Sequence, residues 1–372
     1  MRSDLYKTLQ ERYILSILKS DHKFDYGLYG LLCFNVNMTW DIICMYPDKP
    51  WNWYGISEHK NITWTIIQQN ADKPWNWNGL SFNSNITWAI ISDNLDKPWN
   101  WYNISRHKNI TWDIIKENPD KPWNWYGISM NMNITPEIIK ENPDEPWDWY
   151  YISFNPNLTW DIISDNPDKD WNWCGISSNP NMTLEIILKN IDKPWNWHTL
   201  SYQPIITWEF IQENITKPWI WHVLSKHENI TWDIIKKNFD NPWNWHCISM
   251  NSNITWDIIL QNPDAPWDYG GISQNPNITW EIISHNFNKK WNWRDISMNS
   301  NMTWAIITDN LDNPWDWQNI SNNRNIFKVP ERVFREHFAA KKIYRYWFRC
   351  ITDPSYMICR KRLMTELLYE CS

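Results

Sequence analysis

Glycine is scarce in this chain, with eight among 372 residues. The sequence contains no Gly-rich loop for cradling phosphates, no Gly-x-Ser-x-Gly and no His-Glu-x-x-His motif. The acidic residues that do recur stand in equivalent positions many times over, whereas an active site needs one distinct pocket. We therefore expect no enzymatic activity and no cofactor.

Cysteines and long apolar runs are also few. Seven scattered cysteines fit free thiols better than a disulfide framework, and no stretch approaches the length of a transmembrane helix. The N-terminus, Met-Arg-Ser-Asp, lacks the apolar core of a secretory signal. Eleven Asn-x-Thr sequons that recur in phase with the repeat, from Asn37 to Asn301, are therefore expected to stay unmodified, in an intracellular protein that is not secreted.

Tryptophan is what the chain has in excess: 34 residues, all but Trp347 within one repeated pattern. Each unit reads Asn-x-Thr-Trp-acid-Ile-Ile, then Asp-Lys-Pro-Trp-Asn-Trp, then aliphatic-Ser. The threonines recur every 24 residues without insertion or deletion, at Thr39, Thr63, Thr87, Thr111, Thr135, Thr159, Thr183, Thr207, Thr231, Thr255, Thr279 and Thr303. Such a period predicts stacked units with tryptophan in the core. We expect a twelve-repeat solenoid over 37–326, an N-terminal cap over 1–36 and a tail over 327–372.

The first segment of each unit is predicted to be a helix of about two turns. Threonine is a good N-cap, the residue two places later is acidic in nine of the twelve repeats, and Pro136 fits the first helical position. The helix should end at steps such as Asn118-Pro119, with the asparagine in a left-handed cap.

A second helix should start at Asp-Lys-Pro-Trp, with Asp120 or Lys121 as the N-cap and Pro122 in the first turn. Two helices per unit make an all-α fold, an α-solenoid of twelve two-helix repeats with helical caps at both ends. Layers about 8 to 10 Å apart would give a rod or superhelix about 100 Å long. The alternative is a β-solenoid, because the β-branched and aromatic residues also suit strands.

Both ends of the repeat array are predicted to be capped. Residues 3–20 have the pattern of an amphipathic helix, and Tyr29 to Cys33 resemble Trp53 to Ser57 one period later, as a degenerate half-repeat would. At the other end the pattern stops at Phe327, where a threonine was due.

The C-terminal tail is basic, with ten Lys or Arg against five acids in a chain of net charge −7. It is predicted to be helical, either capping the array or docking a partner, because 339–349 is a partial match to a calmodulin-type IQ motif. The interaction candidates in this tail are Lys341, Lys342, Arg345, Trp347, Arg349, Arg360, Lys361 and Arg362.

One position invites a metal-site interpretation. The residue after Trp-x-Trp is histidine in three consecutive repeats, at His198, His222 and His246. Earlier repeats have tyrosine there, at Tyr102, Tyr126 and Tyr150. The position therefore accepts planar side chains in general, and layers about 8 to 10 Å apart are too distant for two histidines to share a zinc ion. We expect no metal, with this histidine column as the alternative.

The repeat, most complete at 275–283 and 118–129, resembles Trp- and Asn-rich tandem repeats in proteins of mimivirus-like giant viruses of amoebae. The segment Ala-Lys-Lys-Ile-x-Arg-x-Trp-x-Arg-Cys-Ile-x-Asp-Pro-Ser-Tyr, at 340–356, is similar to a tail common on proteins of the same viruses. That family has no established activity, so the resemblance implies origin and architecture. It places the protein in the host cytoplasm or viral factory, or in the virion.

Three functional hypotheses follow. An extended repeat surface suits a scaffold for protein–protein interaction, acting as a monomer or weak oligomer. A structural virion component is the alternative. A nucleic-acid-binding helical repeat comes third, because the repeats are net acidic and phosphate binding needs a basic groove.

Overall fold

A computed structural model of the chain describes residues 14–15, 17–19, 26–35 and 38–327. Regular secondary structure in these residues is entirely helical, with 25 bounded α-helices, one 3-10 helix and no strand. The predicted α-solenoid of two-helix repeats is confirmed, and the β-solenoid alternative is wrong. The tail from 328 onward and most of the N-terminal segment 3–20 lie outside the described residues.

The helices alternate between two types. Helix α1 is Tyr26–Cys33. Even-numbered helices follow the repeat threonines: α2 Trp40–Met45, α4 Trp64–Gln69, α6 Trp88–Ser92, α8 Trp112–Glu117, α10 Pro136–Glu141, α12 Trp160–Asp165, α14 Leu184–Lys189, α16 Trp208–Glu213, α18 Trp232–Lys237, α20 Trp256–Gln261, α22 Trp280–His285 and α24 Trp304–Thr308. Odd-numbered helices follow Trp-x: α3 Trp53–Glu58, α5 Trp77–Leu80, α7 Trp101–Ser105, α9 Trp125–Met130, α11 Trp149–Ile152, α13 Trp173–Ser178, α15 Trp197–Leu200, α17 Trp221–Leu224, α19 Trp245–Met250, α21 Tyr269–Gln274, α23 Trp293–Met298 and α25 Trp317–Asn322. The 3-10 helix η1 is Arg324–Phe327.

The chain forms two compact units. The larger is His22–Met302 together with Asp312–Asn323, and it holds α1 to α23 and α25. The described residues of the smaller unit are 14, 15, 17–19, 303–311 and 324–327, where α24 contacts η1. Ile14, Ile17 and Leu18 are buried, as the predicted apolar face of the N-terminal segment requires.

The even-numbered helices begin as predicted. Thr111 has an extended backbone, and its hydroxyl accepts a hydrogen bond from the Ile114 N–H at 3.4 Å, which satisfies one of the free donors of the first turn. Thr159 is the one repeat threonine without such a bond. Pro136 opens α10, where a missing N–H costs nothing.

The even-numbered helices end at the predicted residue, but in a different conformation. Asn118 has φ −129° and ψ 56°, and no described residue has a positive φ, so the left-handed cap was wrong. Its side-chain amide instead donates to the Ile114 carbonyl at 2.8 Å, and its own carbonyl accepts from the Trp123 indole N–H at 2.7 Å. Side-chain hydrogen bonds therefore replace the backbone reversal.

The odd-numbered helices begin later than predicted. The N-cap of α9 is Asn124, whose side-chain oxygen accepts from the Gly127 N–H at 2.9 Å. The Trp123 N–H is already engaged by the Lys121 carbonyl at 2.7 Å, in a tight turn around Pro122. The expected caps Asp120 and Lys121 were therefore wrong, because the turn that contains them uses the backbone donors before the helix starts.

Buried asparagines join successive repeats. The Asn131 amide donates to the carbonyls of Ser105 at 2.8 Å, His107 at 3.2 Å and Ile110 at 3.1 Å, all in the preceding repeat. The sequon residue Asn133 also donates to Ile110, at 2.9 Å, through the nitrogen that glycosylation would modify. The threefold donation of Asn131 recurs at Asn83, Asn155, Asn251 and Asn275.

The repeat tryptophans pack between layers, and none of them is exposed. The Trp123 ring lies 5.3 Å from Trp88 and, edge-to-face, 5.3 Å from Trp101. Offset and edge-to-face contacts of this kind are the favourable geometries for aromatic pairs. Twelve of the 33 repeat tryptophans are buried, as predicted, and the others are partly exposed.

Within the larger unit, the row of odd-numbered helices has no free end. Helix α1 contacts α3 on one side and α25 on the other, and neighbouring odd-numbered helices contact each other along the row, for instance α3 with α5 and α23 with α25. No two even-numbered helices among the described residues approach as closely. Helix α1 therefore joins the two ends of this row.

Candidate interaction surface

Each odd-numbered helix presents two side chains away from the core. In α9 these are Tyr126 and Met130, which are four residues apart and so share one side of the helix, whereas Ile128 and Ser129 between them are fully buried. We name the second residue of each helix from α3 to α25, with the residue four later, the odd-helix face. Its second-residue positions are Tyr54, Asn78, Tyr102, Tyr126, Tyr150, Cys174, His198, His222, His246, Gly270, Arg294 and Gln318.

The odd-helix face varies among the repeats while the interior does not. Its second-residue positions hold aromatic, imidazole, thiol, amide and guanidinium groups, whereas the buried residues beneath are an aliphatic followed by serine in every repeat. Packing explains the uniform positions and leaves the variable ones unconstrained. In repeat proteins, an exposed surface of this kind is where partner contacts are made.

Exposed aromatic side chains concentrate on one part of this face. We name as the aromatic cluster the following residues of α5, α7, α9, α11 and the turns after them: Phe82, Tyr102, Arg106, Tyr126, Met130, Tyr150, Tyr151 and Phe154. The Tyr151 ring lies 5.1 Å from Tyr126 and 5.4 Å from Tyr150, and Tyr150 lies 6.0 Å from Phe154. Tyr126 is 51% exposed and Tyr150 47% exposed, so the rings contact each other and still face solvent.

Arg106 supplies the only formal charge in the aromatic cluster. Its guanidinium lies over the rings of Phe82 at 5.3 Å and Tyr102 at 5.7 Å, and it reaches the Tyr102 hydroxyl at 3.5 Å. The Tyr102 hydroxyl in turn lies 3.6 Å from the Met130 sulfur. No carboxylate of the described residues forms an ion pair with Arg106, so its planar donors remain open to an anion.

The histidine column lies on the same face but does not assemble into a ligand set. His198, His222 and His246 are exposed, and the His246 ring bonds Asp268 at 2.8 Å. The Gly271 N–H, and then His246, hold the pKa of Asp268 below its usual value. In the part of the chain that the structure describes, no three histidine, cysteine or acidic side chains are grouped to hold a metal ion.

A second feature recurs on the opposite side of the layers. Two grooves of about 470 and 430 Å³ lie at equivalent places two repeats apart. Each is lined by three tryptophans, Trp64, Trp75 and Trp77 in one and Trp112, Trp123 and Trp125 in the other. These residues belong to the uniform part of the repeat, so the grooves follow from how each layer packs.

The predicted interaction residues of the basic tail, from Lys341 to Arg362, lie outside the described residues. Sequence reasoning singled out the histidine column and noted the tyrosines only as its equivalents, and so it missed the aromatic cluster. A comparison of which positions vary among the twelve repeats would have revealed the face, although not which side of the helix it occupies.

Comparison with protein-family models, curated proteins and solved structures gave no match. Over the described residues, every helix is too short or too polar to cross a membrane. The geometry of the odd-helix face therefore carries the functional argument.

Proposed function

We propose that this protein is a non-enzymatic scaffold for protein–protein interaction and that partners bind the odd-helix face. The observation that carries the proposal is the aromatic cluster, a group of exposed and partly exposed tyrosine, phenylalanine, methionine and arginine side chains on a framework that is otherwise repeated. These residue types are enriched at the centres of protein interfaces, where tyrosine and arginine supply much of the binding energy. Tyrosine also offers a large contact area at a small entropic cost.

The cellular setting of the proposal comes from the sequence. The repeat resembles those of mimivirus-like giant viruses, so we place the scaffold in the cytoplasm or viral factory of an infected amoeba. Nucleic acid is disfavoured as a partner, because the chain has a net charge of −7 and the aromatic cluster has one cation. A bound strand would present a phosphate for every nucleotide.

The proposal is tested by substitutions that change the odd-helix face and leave the fold unchanged. A variant carrying Tyr126→Ser, Tyr150→Ser and Phe154→Ser removes exposed apolar area, and a control carrying Asp113→Ser, Lys116→Ser and Glu117→Ser alters exposed residues of α8. Both should keep the wild-type melting profile.

Partners would be identified by cross-linking mass spectrometry of the tagged chain in infected cells. Cross-links to the odd-helix face should disappear in the first variant and persist in the control. Equal retention in both variants would show that partners bind elsewhere and would contradict the proposal.

A further inference from the structure

The aromatic cluster has a chemistry more specific than that of a general apolar surface. Its tyrosines carry hydroxyl groups, and the guanidinium of Arg106, its one charge, lies over the rings of Phe82 and Tyr102 without a carboxylate ion-pair partner among the described residues. A guanidinium positioned in this way is pre-organised to receive a carboxylate through two parallel hydrogen bonds. Neighbouring rings exclude water from one side of such a pair and strengthen it.

The arrangement of the cluster also limits the shape of what it binds. Its residues come from four successive odd-numbered helices, α5 to α11, so a ligand that contacts all of them must run along the row. Three helix spacings of about 8 to 10 Å correspond to roughly seven to nine residues of extended chain at about 3.3 Å per residue.

On the basis of the proposed function, we infer that the aromatic cluster binds an extended acidic segment of a partner polypeptide, with one carboxylate on Arg106 and apolar side chains against Tyr126, Tyr150 and Phe154. Charge complementarity supports this occupant, because the cluster carries a single positive charge in a chain that is net acidic. An acidic segment would be repelled by most of the surface and attracted here. The charge distribution of the protein therefore directs an acidic segment to the aromatic cluster.

The test uses the full-length chain and a displayed library of random twelve-residue peptides. Selected peptides are expected to share one acidic residue within an apolar stretch. Arg106→Glu should weaken their binding at least tenfold, whereas Arg294→Glu, which reverses an exposed arginine of the same face in α23, should leave it unchanged. Melting curves of both variants control for folding.

A double-mutant cycle tests whether the peptide carboxylate contacts the Arg106 guanidinium directly. Replacing the shared acid of the peptide by its amide should weaken binding to the wild-type chain about as much as Arg106→Ala weakens binding of the acidic peptide. The amide peptide should then bind the wild type and Arg106→Ala with similar affinity, because the carboxylate and the guanidinium act as one pair. Arg106→Lys, which keeps the charge and loses the planar fork, should give an intermediate loss.

The outcomes separate this inference from the proposed function. Peptides that ignore Arg106→Glu but lose binding with Tyr126→Ala and Tyr150→Ala would overturn the carboxylate contact and leave the scaffold intact. No enriched peptide, or binding indifferent to all of these changes, would overturn both. Binding of a twelve-nucleotide oligothymidylate that depends on Arg106, without peptide binding, would overturn the inference in favour of single-stranded nucleic acid.

Discussion

A single asparagine side chain makes the connection between layers that a backbone ladder makes in a sheet. The Asn131 amide donates to three carbonyls of the preceding repeat, and its oxygen accepts from the Asn133 N–H at 2.8 Å. These groups lie at bends in the chain where no helix can satisfy them. A buried amide, with two donors and an acceptor, is therefore the component that makes the bends compatible with a dry interior.

Replacing Asn131 by alanine should destabilise its layer by about 1 to 3 kcal/mol, because the Ser105 carbonyl and the Asn133 N–H lose their partner, whereas the carbonyls of His107 and Ile110 each keep another donor. Asn131→His should be milder, since His107 fills the equivalent position in the previous repeat and accepts from the Asn109 N–H in the same way. Amide hydrogen exchange around α7 to α10 would measure the loss. Equal effects of alanine and histidine would show that the hydrogen bonds contribute little there.

Two histidines that occupy the position of Asn131 in other repeats, His59 and His107, should make the free energy of unfolding depend on pH. Burial lowers the pKa of His107 below its ordinary value of 6.5, and burial also lowers that of His59. The folded state therefore holds both rings neutral, and the unfolded chain binds more protons as pH falls below about 6.5. The stability contributed by the neutral rings is fully present above that pH and is lost as pH falls toward the lowered pKa values.

We accordingly expect the urea midpoint to fall between pH 7.5 and pH 5, and His107→Asn to reduce that fall. Asparagine occupies the position in other repeats, and it does not titrate. Protonation at Nδ1 would also place a hydrogen against the Asn109 N–H that this nitrogen now accepts from, at 3.1 Å. An unchanged pH dependence in the variant would mean that His107 titrates in the folded state as it does in the unfolded chain.

At the scale of the element, these helices are too short to be stable alone. Most have four to six residues, fewer than the 12 to 15 at which an isolated helix becomes even marginal. Their stability must come from caps and from packing against neighbouring layers. Changes at a cap or a close contact should therefore affect a whole layer.

The threonine caps can be tested against each other within the chain. Thr111→Ala should destabilise α8 by about 0.5 to 2 kcal/mol, toward the lower end because the capping bond is long at 3.4 Å. Thr159→Ala should cost less, since that side chain makes no capping bond. The comparison is made by thermal unfolding of the two variants, and a larger loss at Thr159 would contradict this account of the cap.

Glycine is required where two odd-numbered helices approach most closely. A Cβ added at Gly127 would lie 2.5 Å from the Tyr102 carbonyl oxygen, whereas one at Gly30 would meet nothing within 4 Å. Gly127→Ala should therefore push α7 and α9 apart and destabilise the chain by about 1 to 3 kcal/mol. Gly30→Ala should be neutral or stabilise the protein by up to about 1 kcal/mol. Urea unfolding measures both variants, and a larger loss of stability in Gly30→Ala than in Gly127→Ala would contradict the prediction.

At the scale of the molecule, the main feature is that the odd-numbered helices of the larger unit form a row without an end. Solenoids usually protect their terminal layers with polar caps, because an exposed end leaves apolar surface open. Here α1 contacts both α3 and α25, so the two terminal odd-numbered helices cover each other. The N-terminal half-repeat is therefore a shared layer of the row.

Thiol cross-linking should detect this contact. The Cys174 sulfur lies 3.2 Å from the Thr199 hydroxyl, and α1 contacts α25. If these two helices keep the register of α13 and α15, we expect Gln318 to stand opposite Leu31. Leu31→Cys with Gln318→Cys should be joined by dibromobimane as readily as Cys174 with Thr199→Cys. Leu31→Cys with native Cys174 is the distant control, and peptide mass spectrometry identifies the linked pairs. If the row had free ends, Cys174 would still be linked to Thr199→Cys, but Leu31→Cys would not be linked to Gln318→Cys.

The candidate site was only partly predictable from sequence. The position of Tyr126 and His198 was recognised as one that accepts planar side chains, because it recurs at a fixed offset from Trp-x-Trp. The aromatic cluster was not recognised, because its members, such as Arg106 and Phe154, are far apart in the chain and meet only when layers stack.

The sequence by itself determined the period, the helical class, the even-numbered helix starts and the tryptophan core. Each of these is local: a threonine caps the helix that follows it, and an interval of 24 residues without insertions permits only stacked layers. Tertiary structure decided where the odd-numbered helices start, what the buried asparagines bond and how the row closes. Those outcomes depend on distances between layers, such as the close approach at Gly127, which no single repeat encodes.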